Sequence, residues 1–98
     1  MEKKPVEIKL QIQLDEDTAQ GVYSNLAVVN HSDAEFTLDF IFVQPQQPKA
    51  KVRSRIITSP KHFKRLVMAM QENLQRYEKA HGPIAVEAAP AVDDAHYH

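Results

Sequence analysis

The sequence predicts an α+β fold: a four-stranded antiparallel meander followed by one long C-terminal helix packed on one face of the sheet. Three observations predict it. Residues 6–14 alternate apolar and polar side chains with a period of two. Three further β-prone runs follow, at 22–31, 35–44 and 49–58, separated by short turn-forming clusters. Last comes a run from Ser59 to Pro83 with a helical start signal, an apolar stripe and a stop signal.

In the first run Val6, Ile8, Leu10, Ile12 and Leu14 alternate with Glu7, Lys9, Gln11 and Gln13, the pattern of a strand with one buried face. Asp15 to Gly21 (DEDTAQG) breaks it and reads as a solvated loop. The second run, 22–31, carries Val22, Leu26 and Val28 on one side and Tyr23, Ala27 and Val29 on the other. Apolar residues on both sides suit a strand covered on both faces. HSDAE supplies the next turn. In the third run Phe36, Leu38, Phe40 and Phe42 form the natural floor for the helix, opposite Thr37, Asp39, Ile41 and Val43. The turn PQQP leads to the fourth run, where Ala50, Val52, Ser54 and Ile56 face one side and Lys49, Lys51, Arg53 and Arg55 the other.

The helix is expected over 60–81. Ser59 suits the N-cap, since its hydroxyl accepts from a free first-turn N–H, and Pro60 suits the first helical position. Phe63, Leu66, Val67, Met70, Leu74 and Tyr77 recur at three- and four-residue steps and make the inward stripe. Gly82 is placed for a left-handed C′ position, and Pro83 cannot continue the helix. The chain thus reads as one domain over 1–84 with a disordered tail at 85–98, which is rich in Ala and without a periodic face.

One helix covers about 10 Å of width, whereas four strands span about 19 Å. Part of the sheet is left bare, and Val29, Ile41 and Val43, expected on the far side, add to the apolar surface. Met68 lies off the helix stripe and suits a subunit contact. Burial of this surface against a second copy is the simplest remedy, so a homodimer is expected. The same four residues, Val29, Ile41, Val43 and Met68, are candidates for contact with a polypeptide.

Composition narrows the function. With 98 residues and no cysteine, the chain has neither disulfide framework nor thiolate chemistry. The N-terminus lacks a signal-peptide core, and no apolar run approaches the roughly 20 residues of a membrane span; a cytoplasmic protein is expected. Residues 22–82 hold nine Lys/Arg against five Asp/Glu, between acidic ends. Lys49, Lys51, Arg53 and Arg55, helped by Lys61, Lys64 and Arg65, could follow a phosphate backbone. The competing reading is a charged edge strand that discourages sheet-to-sheet aggregation, or one whose cations pair with Glu7 or Asp39. Without interleaved aromatics or a glycine-rich loop, nucleic acid is the lesser alternative.

The five histidines lack metal-ligand spacing: His62 and His81 lie at opposite ends of the helix, His31 in a turn, His96 and His98 near the terminus. No metal or other cofactor is implied. Asp39, inside the most apolar strand, is the one carboxylate that burial could tune for acid–base work, and it is more simply satisfied by Arg53 or Arg55. Ser24, Ser32, Ser54 and Ser59 sit in no nucleophile motif. The residues therefore read as a non-enzymatic binding protein.

The runs YSNLAVVNHSDAEFTLDF, SRIITSPKHFKRL and NLQRYEKAHGPI, in that order between Gly21 and Ile84, resemble a bacterial family of unknown function, domain of unknown function 3467. That resemblance implies no activity. The layout of four strands and a long helix is also similar to the SecB-type export chaperones, which are oligomers that bind unfolded, extended polypeptides. Fold alone does not fix function.

Overall fold

The computed structural model describes residues 8–88 and 91–92. The elements are a single helical turn α1 (Glu16–Ala19), strands β1 (Leu26–His31), β2 (Phe36–Val43) and β3 (Ala50–Thr58), and the helix α2 (Pro60–His81). The three strands form one antiparallel sheet in the order β1-β2-β3.

Local chemistry accounts for the connections. Between β1 and β2, the Ser32 hydroxyl accepts from the N–H groups of Ala34 and Glu35, and the Ser32 N–H donates to the Glu35 carbonyl at 2.9 Å. This is the backbone-mimicking turn that Ser and Asn side chains favour. Between β2 and β3 the Gln44 N–H donates to the Lys49 carbonyl. Ahead of β1, Asn25 extends the ladder with its side chain: its amide donates to the Val43 carbonyl at 3.0 Å and accepts from the Val43 N–H at 2.8 Å.

β2 holds the centre of the sheet and supplies its buried residues, Leu38, Asp39 and Ile41. Its register places Leu38 between Val29 and Ile56, and Ile41 between Leu26 and Val52. Phe40 pairs with Ser54 and Ile41 with Val52, so Arg53 is an extra residue in β3. Such a bulge reverses the alternation of the strand that carries it.

α2 starts and stops where its residues dictate. Ser59 takes an extended conformation, and its hydroxyl accepts from the His62 N–H at 3.3 Å. At the far end the Gly82 N–H donates to the Glu78 carbonyl at 2.8 Å. Gly82 has φ +91° and ψ 165°. It is therefore not the left-handed helical cap expected, but an extended conformation of positive φ that only glycine adopts freely. The Glu78 carboxylate then accepts from the Ile84 N–H at 2.8 Å, fixing the exit of the chain.

Two expectations require correction. The first run, 6–14, is not a strand over its described part: 8–14 is irregular and exposed. Its period-two pattern persists, but Asp15 to Ala19 winds into a helical turn, Gly21 turns with φ +77°, and the chain does not fold back beside β1. A strand pattern that joins neither edge of its own sheet remains open chain. The second concerns the helix, which does not cover the sheet along its length. Its first two turns dock, with the ring of Phe63 stacked on Phe36 at 4.1 Å and an interplanar angle of 7°. From Met70 to Tyr77 the stripe is exposed. The resulting molecule is open, with a radius of gyration of 17.7 Å where a compact domain of this size has about 13 Å. Of the expected tail at 85–98, residues 85–88 and 91–92 carry neither helix nor strand, and the others lie outside the described residues.

Candidate functional site

A charged pair, Asp39 and Arg55, sits at the centre of the sheet. Asp39 is 1% exposed, and Arg55 on β3 stands directly opposite it in register. Arg55 Nε donates to Asp39 Oδ1 at 2.7 Å and Nη2 to Oδ2 at 2.8 Å, a two-pronged contact that suits guanidinium and carboxylate. The hydrogen bond to Asp39, followed by Coulomb attraction to it, raises the Arg55 pKa above its already high ordinary value. Of the two partners considered for Asp39, Arg55 is the one used. A carboxylate held this way is an acceptor for a fixed cation.

The bulge changes the basic row. Lys51 stands opposite Phe42 and Arg55 opposite Asp39, residues on opposite faces of β2. The four cations therefore do not share one face, contrary to the strict alternation expected. Lys49, Lys51 and Arg53 instead border an open groove of ≈ 410 Å³ at the end of the β2–β3 hairpin, together with Phe42, Gln44 and Gln47. Lys61, Lys64 and Arg65 are exposed on the first turns of α2 and do not line this groove.

The four candidate contact residues do not form one surface either. Val29 is 46% exposed and lies on the face of Leu38, on the helix side, not on the far side. Ile41 is on the opposite face and only 3% exposed, because β2 is central and Leu26 and Val52 flank it. It offers no contact area in this form. Val43 is half-buried at the end of the same strand, and Met68 is exposed on α2.

The large apolar surface lies elsewhere. Ile8, Leu10, Ile12 and Leu14 are all exposed, Ile12 at 89%. On α2, Leu66, Met70, Leu74 and Tyr77 form an uncovered line, with Met70 at 57%. On β3, Ile56 and Ile57 are exposed on opposite faces. Burial of each such side chain against a partner would be worth roughly 1.5–3 kcal/mol. The sequence pattern identifies all these residues as apolar and periodic. What it assigns to the core of one chain, the fold leaves facing outward.

Among the described residues no three His, Asp or Glu side chains converge as metal ligands, and no helix is long and apolar enough to cross a membrane. His31 instead lies against the Phe36 ring and His81 against that of Tyr77.

No curated protein and no solved structure matches the chain, so the likeness to SecB-type chaperones rests on layout alone and carries no argument. The family model for DUF3467, described as a protein of unknown function, matches residues 1–86, and the chain belongs to that family.

Proposed function

We propose that this is a non-enzymatic, homo-oligomeric protein that binds polypeptide segments through the apolar face of α2. The observation that carries this reading is the line Leu66, Met70, Leu74 and Tyr77, exposed over three turns of the helix. The stripe is amphipathic, so it is built for an apolar partner. Met70, with nearby Met68, brings unbranched, polarizable side chains that adapt to varied apolar shapes. A helix presenting anchors at three- and four-residue steps is a recurrent polypeptide-contact mode. Self-association follows from the remaining exposed apolar residues on 8–14 and β3.

The alternative is nucleic-acid binding through Lys49, Lys51 and Arg53. The open groove favours it, while the commitment of Arg55 to Asp39 weakens it. Salt separates the two readings, because phosphate contacts lose affinity steeply as salt rises and apolar contacts do not. Binding of a fluorescent, permanently unfolded polypeptide (reduced and carboxymethylated α-lactalbumin) is measured at low and high salt beside a single-stranded oligonucleotide. Retained polypeptide binding, lost in Met70→Glu/Leu74→Glu, supports the reading. Salt-sensitive oligonucleotide binding without polypeptide binding overturns it.

A further inference from the structure

Residues 8–14 have the pattern of a strand and no strand to pair with. Ile8, Leu10, Ile12 and Leu14 alternate with Lys9, Gln11 and Gln13, and all seven are exposed. Among the described residues the outer edge of β3 has no partner strand in the three-stranded order, and it is flanked by exposed Ile56 and Ile57. From these two halves we infer that residues 8–14 of one copy add as a fourth strand to the β3 edge of a second copy, and reciprocally, making an arm-exchanged dimer. This rests on the homo-oligomeric part of the function proposed above and names its contact.

Charge selects the edge and the direction. Asp15, Glu16 and Asp17 follow directly on the segment, while Lys49 lies just before β3 and Lys51 and Arg53 within its first four residues. Antiparallel addition sets the end of the segment beside the start of β3, so the acidic turn meets these three cations. It also sets Ile8 and Leu10 beside Ile56 and Ile57. β1, with the sequence LAVVNH, has no such cations to offer at the other edge. Seven residues fit within the nine of β3.

The occupant is a second copy because each chain carries both halves of the contact, and a two-fold axis satisfies both at once. Within the single chain residues 8–14 are exposed and join no strand, and the molecule spans 63 Å along its longest axis. Added strands of this kind gain main-chain hydrogen bonds for affinity and alternate side chains for register. The basic row thereby acquires a role that needs no nucleic acid.

The absence of native cysteine makes the test clean. Single variants Gln11→Cys and Gln13→Cys are mixed, under mild oxidation, with a mass-tagged chain carrying Lys51→Cys, Arg53→Cys or, on β1, Asn30→Cys. All five positions are exposed, so the fold tolerates the changes. Expected is a disulfide between an arm variant and Lys51→Cys or Arg53→Cys, with the mass of one tagged and one untagged chain, and none with Asn30→Cys. Cross-linking to Asn30→Cys, or closure of the double variant Gln13→Cys/Lys51→Cys within one chain, overturns the inference. A native dimer in which no arm variant cross-links to β3 overturns this contact alone. A native monomer overturns the homo-oligomeric reading with it.

Discussion

Arg55 closes on both carboxylate oxygens of Asp39, at 2.7 and 2.8 Å, across the β2–β3 ladder. Asp39 is the most deeply buried side chain of the sheet, and the guanidinium holds it from the solvent side, with 46% of the arginine side chain exposed. Removing the cation takes a two-pronged counter-charge from a buried carboxylate, which costs more than the pair itself contributes. Arg55→Leu is expected to lower the melting temperature by roughly 10 °C or more, and Asp39→Leu/Arg55→Leu together by less than that. Circular dichroism melts measure both. Because the contact raises the Arg55 pKa, titration of the guanidinium takes nothing from its contribution below the ordinary arginine value. No loss from guanidinium deprotonation is therefore expected across neutral pH.

The start of α2 has a local test. Ser59→Ala removes the acceptor for the His62 N–H and is expected to cost about 0.5–2 kcal/mol in urea unfolding. Ser59→Asp keeps an acceptor there and is expected to restore most of the loss.

Gly82 has open space around its Cβ position, so a methyl group there meets no neighbour. Gly82→Ala is nevertheless expected to destabilise by about 1–3 kcal/mol, through φ +91° alone. An unchanged stability in urea would show that the helix exit adopts another conformation.

The stacked rings of Phe36 and Phe63 are the joint between sheet and helix. Phe63→Ala is expected to cost about 1–2 kcal/mol and to leave the helical signal in far-ultraviolet circular dichroism at its native strength, because the caps and the rest of α2 persist. Loss of that signal would mean that docking, and not the helix's own sequence, holds α2.

The legible parts of the fold are those decided by near neighbours in the chain. Ser59, Pro60 and Gly82 mark the two ends of α2, and its observed span, Pro60–His81, is the one expected. β2 and β3 fall within a residue of their expected limits, because Phe36 to Val43 and Ala50 to Thr58 alternate between turn-forming clusters. β1 is shorter, starting at Leu26, since Ser24 and Asn25 spend their side chains on the end of β2. What was not legible depends on distant partners. The bulge at Arg53 leaves no mark in KAKVRSRIIT, yet it sends Lys51 and Arg55 to opposite faces. Leu10 and Met70 look like core residues because periodicity reports amphipathicity and does not say which chain provides the other side. The same ambiguity hides the site: the pattern places Ile41 on a bare face and Met70 in the core, whereas Ile41 is buried and Met70 is bare.

Self-association is the central claim, and the mass of the intact chain in solution tests it most directly. Light scattering of the full 98-residue protein at micromolar concentration is expected to report at least twice the 11.2 kDa of one chain. Leu10→Asp/Ile12→Asp is expected to return it to the mass of one chain. A native protein that scatters as an 11.2 kDa monomer would contradict the claim.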